Sequence, residues 1–99
     1  MGNLPTFWQL ENFEERLDTW ILVENPSDDL RFVVTEWVIS RFDNPYADVS
    51  REPEFPNFWF GQIPGTAHQG NVVACSYWIF EGDRLVKCDQ IASLRLSLG

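Results

Sequence analysis

The chain has 99 residues, with 15 Asp and Glu against 7 Lys and Arg and a single His, for a formal net charge of -8 at pH 7. Aromatic residues make up 15% of it and apolar residues 44%. This is the size of one domain, assigned to 1-99, and too apolar for a disordered chain. One Lys and an acidic excess leave no electrostatic footprint for nucleic-acid binding. No apolar run approaches the roughly 18 residues of a membrane span, and Met1-Gly2-Asn3-Leu4-Pro5 lacks the basic-then-apolar order of a signal peptide. A cytoplasmic location is expected. Gly2 has only Thr6 in support of a myristoylation motif.

Thr6 and Gln9 have capping-box spacing, and Phe7, Leu10, Phe13 and Leu17 recur at helical period, which predicts a helix over Phe7–Leu17. Thr19–Val23 is β-rich and reads as a short buried strand. Asn25-Pro26-Ser27 stops it and caps a second helix, Asp28 to about Phe42, with Asp28 and Asp29 at its positive end. Leu30, Val33, Val34, Trp37 and Val38 cover one face of this helix, and Phe32 and Ile39 lie opposite. Such a helix is either sandwiched in the fold or offers its second face to a partner. Arg41 falls on the first apolar face. Its stem can pack while its head reaches water, or it can anchor an anion at a cleft mouth.

Asp43-Asn44-Pro45-Tyr46 ends the helix. The stretch to Asn57, with Asp48, Glu52, Glu54, Pro53 and Pro56, reads as a long irregular acidic loop. Strands are expected over Asn57–Ile63, Asn71–Phe80, Arg84–Ile91 and the alternating Ala92–Leu98. A Gly82-Asp83 turn sets Ile79 opposite Val86, Tyr77 opposite Cys88 and Cys75 opposite Gln90. Val73, Cys75, Tyr77, Ile79, Val86 and Cys88 then share the core face. The two cysteines are diagonal neighbours, expected as buried free thiols. Trp78, Phe80, Leu85 and Lys87 share the other face, which either a second layer of the fold, such as the first helix, or a partner covers, and the internal cover is expected because a small domain needs the area. The fold class is α+β, two helices packed on a mainly antiparallel sheet.

No catalytic or metal set stands out. His68 sits in a loop away from both cysteines, and no nucleophile elbow is present. An EF-hand pattern is absent, although Asp43 with Asp48 and Glu52 with Glu54 could converge on a hard cation such as calcium. No cofactor is called for. The leading expectation is a non-enzymatic interaction module whose acidic surface selects a basic protein partner, one form being an immunity- or antitoxin-like inhibitor. Its binding residues are expected to be Asp48, Glu52, Glu54 and Trp59, the last as an aromatic anchor. Neither nucleic acid nor membrane is expected as a partner, and a homodimer stays open.

The order strand, helix, loop, antiparallel strands, with Asp43-Asn44-Pro45-Tyr46, then Gly61, then Val73–Phe80 and Arg84–Ile91, resembles the RelE/ParE-type toxin superfamily. The resemblance implies a curved sheet packed on helices and, in some members, ribosome-dependent mRNA cleavage. Tyr77, Arg84 and Lys87 sit in the region where those toxins carry basic and tyrosine residues. This chain is acidic where they are usually basic, so the alternative to an interaction module is a toxin-fold protein, active or degenerate as a ribonuclease.

Overall fold

A computed structural model describes residues 7–96 of the chain. Gly2, the predicted capping residue Thr6 and the end of the predicted last strand, Ser97 and Leu98, lie outside the described residues. The fold is α+β: two helices against a five-stranded sheet of order β1-β5-β4-β3-β2. Its strands are β1 (Gln9–Glu11), β2 (Ser50–Arg51), β3 (Phe58–Gln62), β4 (Asn71–Phe80) and β5 (Leu85–Arg95). Only the β1–β5 pairing is parallel. The helices are α1 (Phe13–Glu24) and α2 (Asp28–Ser40).

The N-terminal third differs most from the expectation. Residues 9–11 form an edge strand rather than a helical turn, and the helix starts at Phe13 and absorbs the predicted strand Thr19–Val23. The reason lies in the spacing of the residues that pack. Phe13, Leu17, Trp20 and Ile21 recur at i, i+4, i+7 and i+8 and all join the core, while Leu22 and Val23 remain exposed. A helical face that buries Phe13 and Trp20 outweighs the weak strand preference of Ile-Leu-Val. Asn12 and Asn25 bracket α1 in the left-handed conformation, and the Asn25 amide donates to Ile21 O. This residue type tolerates positive φ better than most. The second helix follows its sequence signals. The Ser27 side chain accepts from the Leu30 amide at 3.2 Å, and Asp28 and Asp29 occupy the first turn.

The long hairpin follows the expected register as far as Tyr77 opposite Cys88, then slips. A bulge between Ser76 and Tyr77 sets Ser76 against Gln90 and Cys75 against Ile91, instead of Cys75 against Gln90. The tip is a 3₁₀ turn over Glu81–Asp83, with Arg84 left-handed, rather than a two-residue Gly82-Asp83 turn. The segment expected as a separate strand from Ala92 continues β5 to Arg95. The core face holds Val73, Cys75, Tyr77, Ile79, Val86, Cys88 and Ile91, packed against Phe13, Trp20, Val34, Trp37 and Val38 of the helices. Both cysteines are free and buried. Burial, reinforced by a neighbouring Cys88 thiol, pushes the Cys75 thiol well above its usual pKa.

The apolar stripes of both helices pack on the Tyr77 side of the sheet, and of the Trp78 face α1 reaches the cleft beside Trp78 and Lys87 with Arg16. The rings of Phe55 and Phe58 cover Trp78 instead, at centroid distances of 6.3 and 4.6 Å. The 43–57 segment is also less irregular than its composition suggests. It contains β2, and two tight contacts, Glu52 N to Phe58 O and Phe58 N to Phe55 O, fold its acidic tip back on β3. No helix among the described residues is long and apolar enough to cross a membrane.

Candidate functional site

The turn after α2 is held by a buried arginine. Arg41 is 1% exposed, which matches neither of the two roles its sequence position offered. Its Nε donates to Trp37 O at 3.3 Å, its Nη1 to Ala47 O at 2.6 Å and to the Tyr77 hydroxyl at 3.1 Å, and its Nη2 to Ser40 Oγ at 3.0 Å. Its guanidinium also lies 3.9 Å from the centroid of the Trp37 ring and 3.9 Å from Asp48 Oδ2. The head that could have met an external anion is therefore spent inside the fold, tying residues 45–48 to α2 and β4. The Tyr77 hydroxyl completes the knot by donating to Pro45 O.

The four expected binding residues are not gathered in one place. Asp48 has a 45% exposed side chain, but its carboxylate is drawn inward by Arg41 and by the Trp37 indole, which donates to Oδ2 at 3.3 Å. Glu52 is half-buried at the end of β2, and Glu54 is exposed at the loop tip. Trp59 is half-buried on β3, opposite Arg51 of β2. Its ring meets the Tyr46 ring edge-on, at 5.1 Å and 77°. Tyr46 in turn meets Trp8 at 5.8 Å and 81°.

Trp59 belongs to a notch of about 230 Å³ lined by Tyr46, Arg51, Pro56, Asn57, Trp59, Ile79 and Glu81. The Tyr46 hydroxyl donates to Glu81 Oε1 at 2.5 Å across its mouth. Burial first, then the Glu81 carboxylate, pushes the Tyr46 hydroxyl up to a pKa of about 12, with Arg84 opposing. Asp48, Glu52 and Glu54 do not line this notch. Tyr46 and Glu81 are the partners that sequence reasoning missed. Nothing local links an Asn-Pro-Tyr turn to the tip of a hairpin 35 positions away. Only the knot around Arg41, which fixes where Tyr46 emerges, brings the two together.

Gly61, which the sequence singled out, has a packing reason. A Cβ there would fall on the Asp48 carbonyl oxygen and lie 2.9 Å from Val49 Cγ1, so only Gly lets the 48–49 turn lie against β3.

The residues of the ribonuclease alternative also do not converge. Tyr77 is fully buried, and its hydroxyl is pushed up to about 12 by burial, with Arg41 opposing. Arg84 lies over the Trp8 ring at 4.6 Å. Lys87 is exposed opposite Trp78, on the face turned away from Tyr77. The cleft that Lys87 does line, of about 430 Å³, holds Arg16 and Asp89 and neither Tyr77 nor Arg84. His68 is tied by Nδ1 to Thr66 O at 2.8 Å. Among the described residues no group of three or more His, Cys, Asp or Glu side chains is placed to hold a metal ion. The pairs Asp43 with Asp48 and Glu52 with Glu54 therefore form no such cluster.

No family model and no curated protein matches this sequence. Among solved structures, the chain is similar to a mutant of the E. coli toxin RelE in its free state, with a TM-score of 0.57 over 86% of this chain and 81% of that one. The chain resembles RelE-type toxins in fold. At 11% identity the likeness concerns the path of the backbone and carries no residue of one chain onto the other.

Proposed function

We propose that this chain is a protein-interaction module on a RelE-like fold, binding a basic protein partner rather than cutting RNA, with an immunity- or antitoxin-like inhibitor as one concrete form. The observation that carries the reading is the state of its charges. The chain carries 15 acidic residues against 7 Lys and Arg, and one of the cations, Arg41, is buried beside Asp48 at 3.9 Å. Glu24, Glu81 and Asp89 accept hydrogen bonds within the fold, while exposed acids such as Glu14, Glu15 and Glu54 are available to an external partner. Several of the cations are already engaged. Arg41 is buried, Arg31 is bonded to Pro26 and Asn25, and Arg84 lies on Trp8. A surface with this imbalance attracts cationic surfaces and repels phosphate backbones.

The test is affinity capture from the source cells, followed by stopped-flow association of the purified pair. A basic partner whose association slows as salt rises supports the reading. An acidic partner, or nucleic acid retained after nuclease treatment, counts against it.

The fold itself favours a second reading, a toxin-type ribonuclease. It requires exposed basic and tyrosine groups at one site, and burial of Tyr77 opposes that. Incubation with translating ribosomes is expected to leave mRNA intact. Cleavage that survives Lys87→Gln and Tyr77→Phe would point to chemistry built from other residues.

A further inference from the structure

We propose that the groove between α1 and α2 is the docking site for an amphipathic helix of the basic partner, with apolar anchors along one face and Lys or Arg beside them. The inference rests on the basic-partner reading and names where, and in what shape, that partner binds. Residues 25–27 join the two helices tightly at one end. At the other end, the first turns of α1 and the C-terminal end of α2 leave a groove of about 290 Å³. Leu10, Phe13, Leu17, Val38 and Phe42 give it apolar walls, and Glu14 and Glu15 line it too. The apolar surface continues along α2. Ile39 lies three residues before Phe42 and Phe32 two turns further back, so they neighbour the groove on one side of the helix. Phe42, Ile39 and Phe32 are 42%, 51% and 66% exposed. This is the second apolar side of α2, and the fold leaves it uncovered.

The charges around the groove have one sign. Glu14 and Asp18 are exposed and one turn apart on α1, and Glu15 is exposed beside them. The cations of this region are directed elsewhere. Arg16 lines the cleft beside Trp78 and Lys87, Arg31 is held at the closed end by Pro26 O and Asn25 Oδ1, and Arg41 is buried. Apolar walls with an acidic margin select anchors flanked by the opposite charge. The anchors belong on a helix because the long walls are themselves helices, whose backbone groups are bonded within α1 and α2. An extended peptide would bring unpaired N–H and C=O groups into an apolar groove, whereas a helix arrives with its own bonds made. A second copy of this chain would set a net charge of -8 against the same acids. A membrane surface would set anionic headgroups there, so neither fits.

The experiment titrates three peptides of about 18 residues, long enough to populate a helix, into the whole chain and follows backbone amides by two-dimensional NMR. The first has Leu at i, i+3, i+4 and i+7 spacing with Lys beside them. The second has Glu in place of Lys, and the third has the lysine peptide's composition in scrambled order. The lysine peptide is expected to give saturable shifts centred on Glu14, Leu17, Val38 and Phe42, and to bind at least about tenfold tighter than the other two. Phe42→Ala, at a half-exposed position, is expected to weaken it about tenfold, and Glu14→Gln with Asp18→Asn about threefold. Leu22→Ser with Val23→Ser, at exposed apolar positions outside the groove, is expected to leave it unchanged. Shifts confined to Glu52 and Glu54, or an equal loss from the Leu22 and Val23 pair, would overturn the groove and leave the basic-partner reading in place. Equal binding by the scrambled peptide would do the same. So would these shifts appearing as the chain alone is concentrated, which a second copy gives, or with phosphatidylserine vesicles. A lysine peptide that does not bind also overturns the groove, and the basic-partner reading then rests on the salt dependence of the captured partner's association. Tighter binding by the glutamate peptide would bring down both.

Discussion

Arg41 and Tyr77 together set where the chain turns after α2. A buried guanidinium costs several kcal/mol to desolvate, and only a full set of acceptors offsets that. Here Trp37 O, Ala47 O, Ser40 Oγ and the Tyr77 hydroxyl supply acceptors. Arg41→Ala is expected to lower unfolding free energy by about 3 kcal/mol in urea titrations, because it strips partners from buried oxygens. The same knot makes stability depend on alkaline pH. Tyr77 titrates near 10 in the unfolded chain and near 12 in the folded one, raised chiefly by burial. The folded state thus holds its proton longer, and the contribution is complete below pH 10 and lost as pH rises through 12. Stability is expected to fall across that window by about 2 kcal/mol from Tyr77 alone. Tyr77→Phe should flatten this part of a plot of urea midpoint against pH, and an unchanged slope would contradict the assignment.

At the scale of elements, two predictions separate what packing decides from what local preference suggests. Gly61→Ala drives a methyl group into the Asp48 carbonyl and Val49, and is expected to cost about 1–3 kcal/mol. Val23→Lys in α1 is expected to change stability by no more than about 0.5 kcal/mol, since Val23 is 74% exposed. A large loss there would mean that Thr19–Val23 behaves as the buried strand its composition suggested. Such contrasts explain how much the sequence could reveal. The α2 helix, with Ser27, two first-turn acids and an apolar stripe, and the β4–β5 hairpin up to Tyr77, with its alternation, were legible because each signal is local. The first helix was displaced because Phe7 and Leu10 share its period by coincidence, and only pairing with Leu85–Lys87 makes residues 9–11 a strand. The bulge at Ser76 has no composition signature, so the register beyond it was out by one. Trp59 stands out in the sequence between Phe58 and Phe60. Its companions Tyr46 and Glu81 do not, because they meet only through the tertiary knot of Arg41.

At the scale of the whole molecule, a RelE-like backbone carries a surface of opposite character to the basic one that the resemblance leads one to expect. The fold supplies a sheet with helices on one face. The charge pattern supplies 15 carboxylates and 7 cations, with Arg41 and Tyr77 sealed inside. Association with a basic partner should then be steered by long-range attraction. The most direct measurement is the stopped-flow association rate of this chain with its captured partner, from about 10 mM to about 1 M salt, over which the Debye length shrinks from about 30 Å to about 3 Å. The account predicts a rate that falls at least tenfold across that range while the dissociation rate changes little. An association rate independent of salt would contradict it.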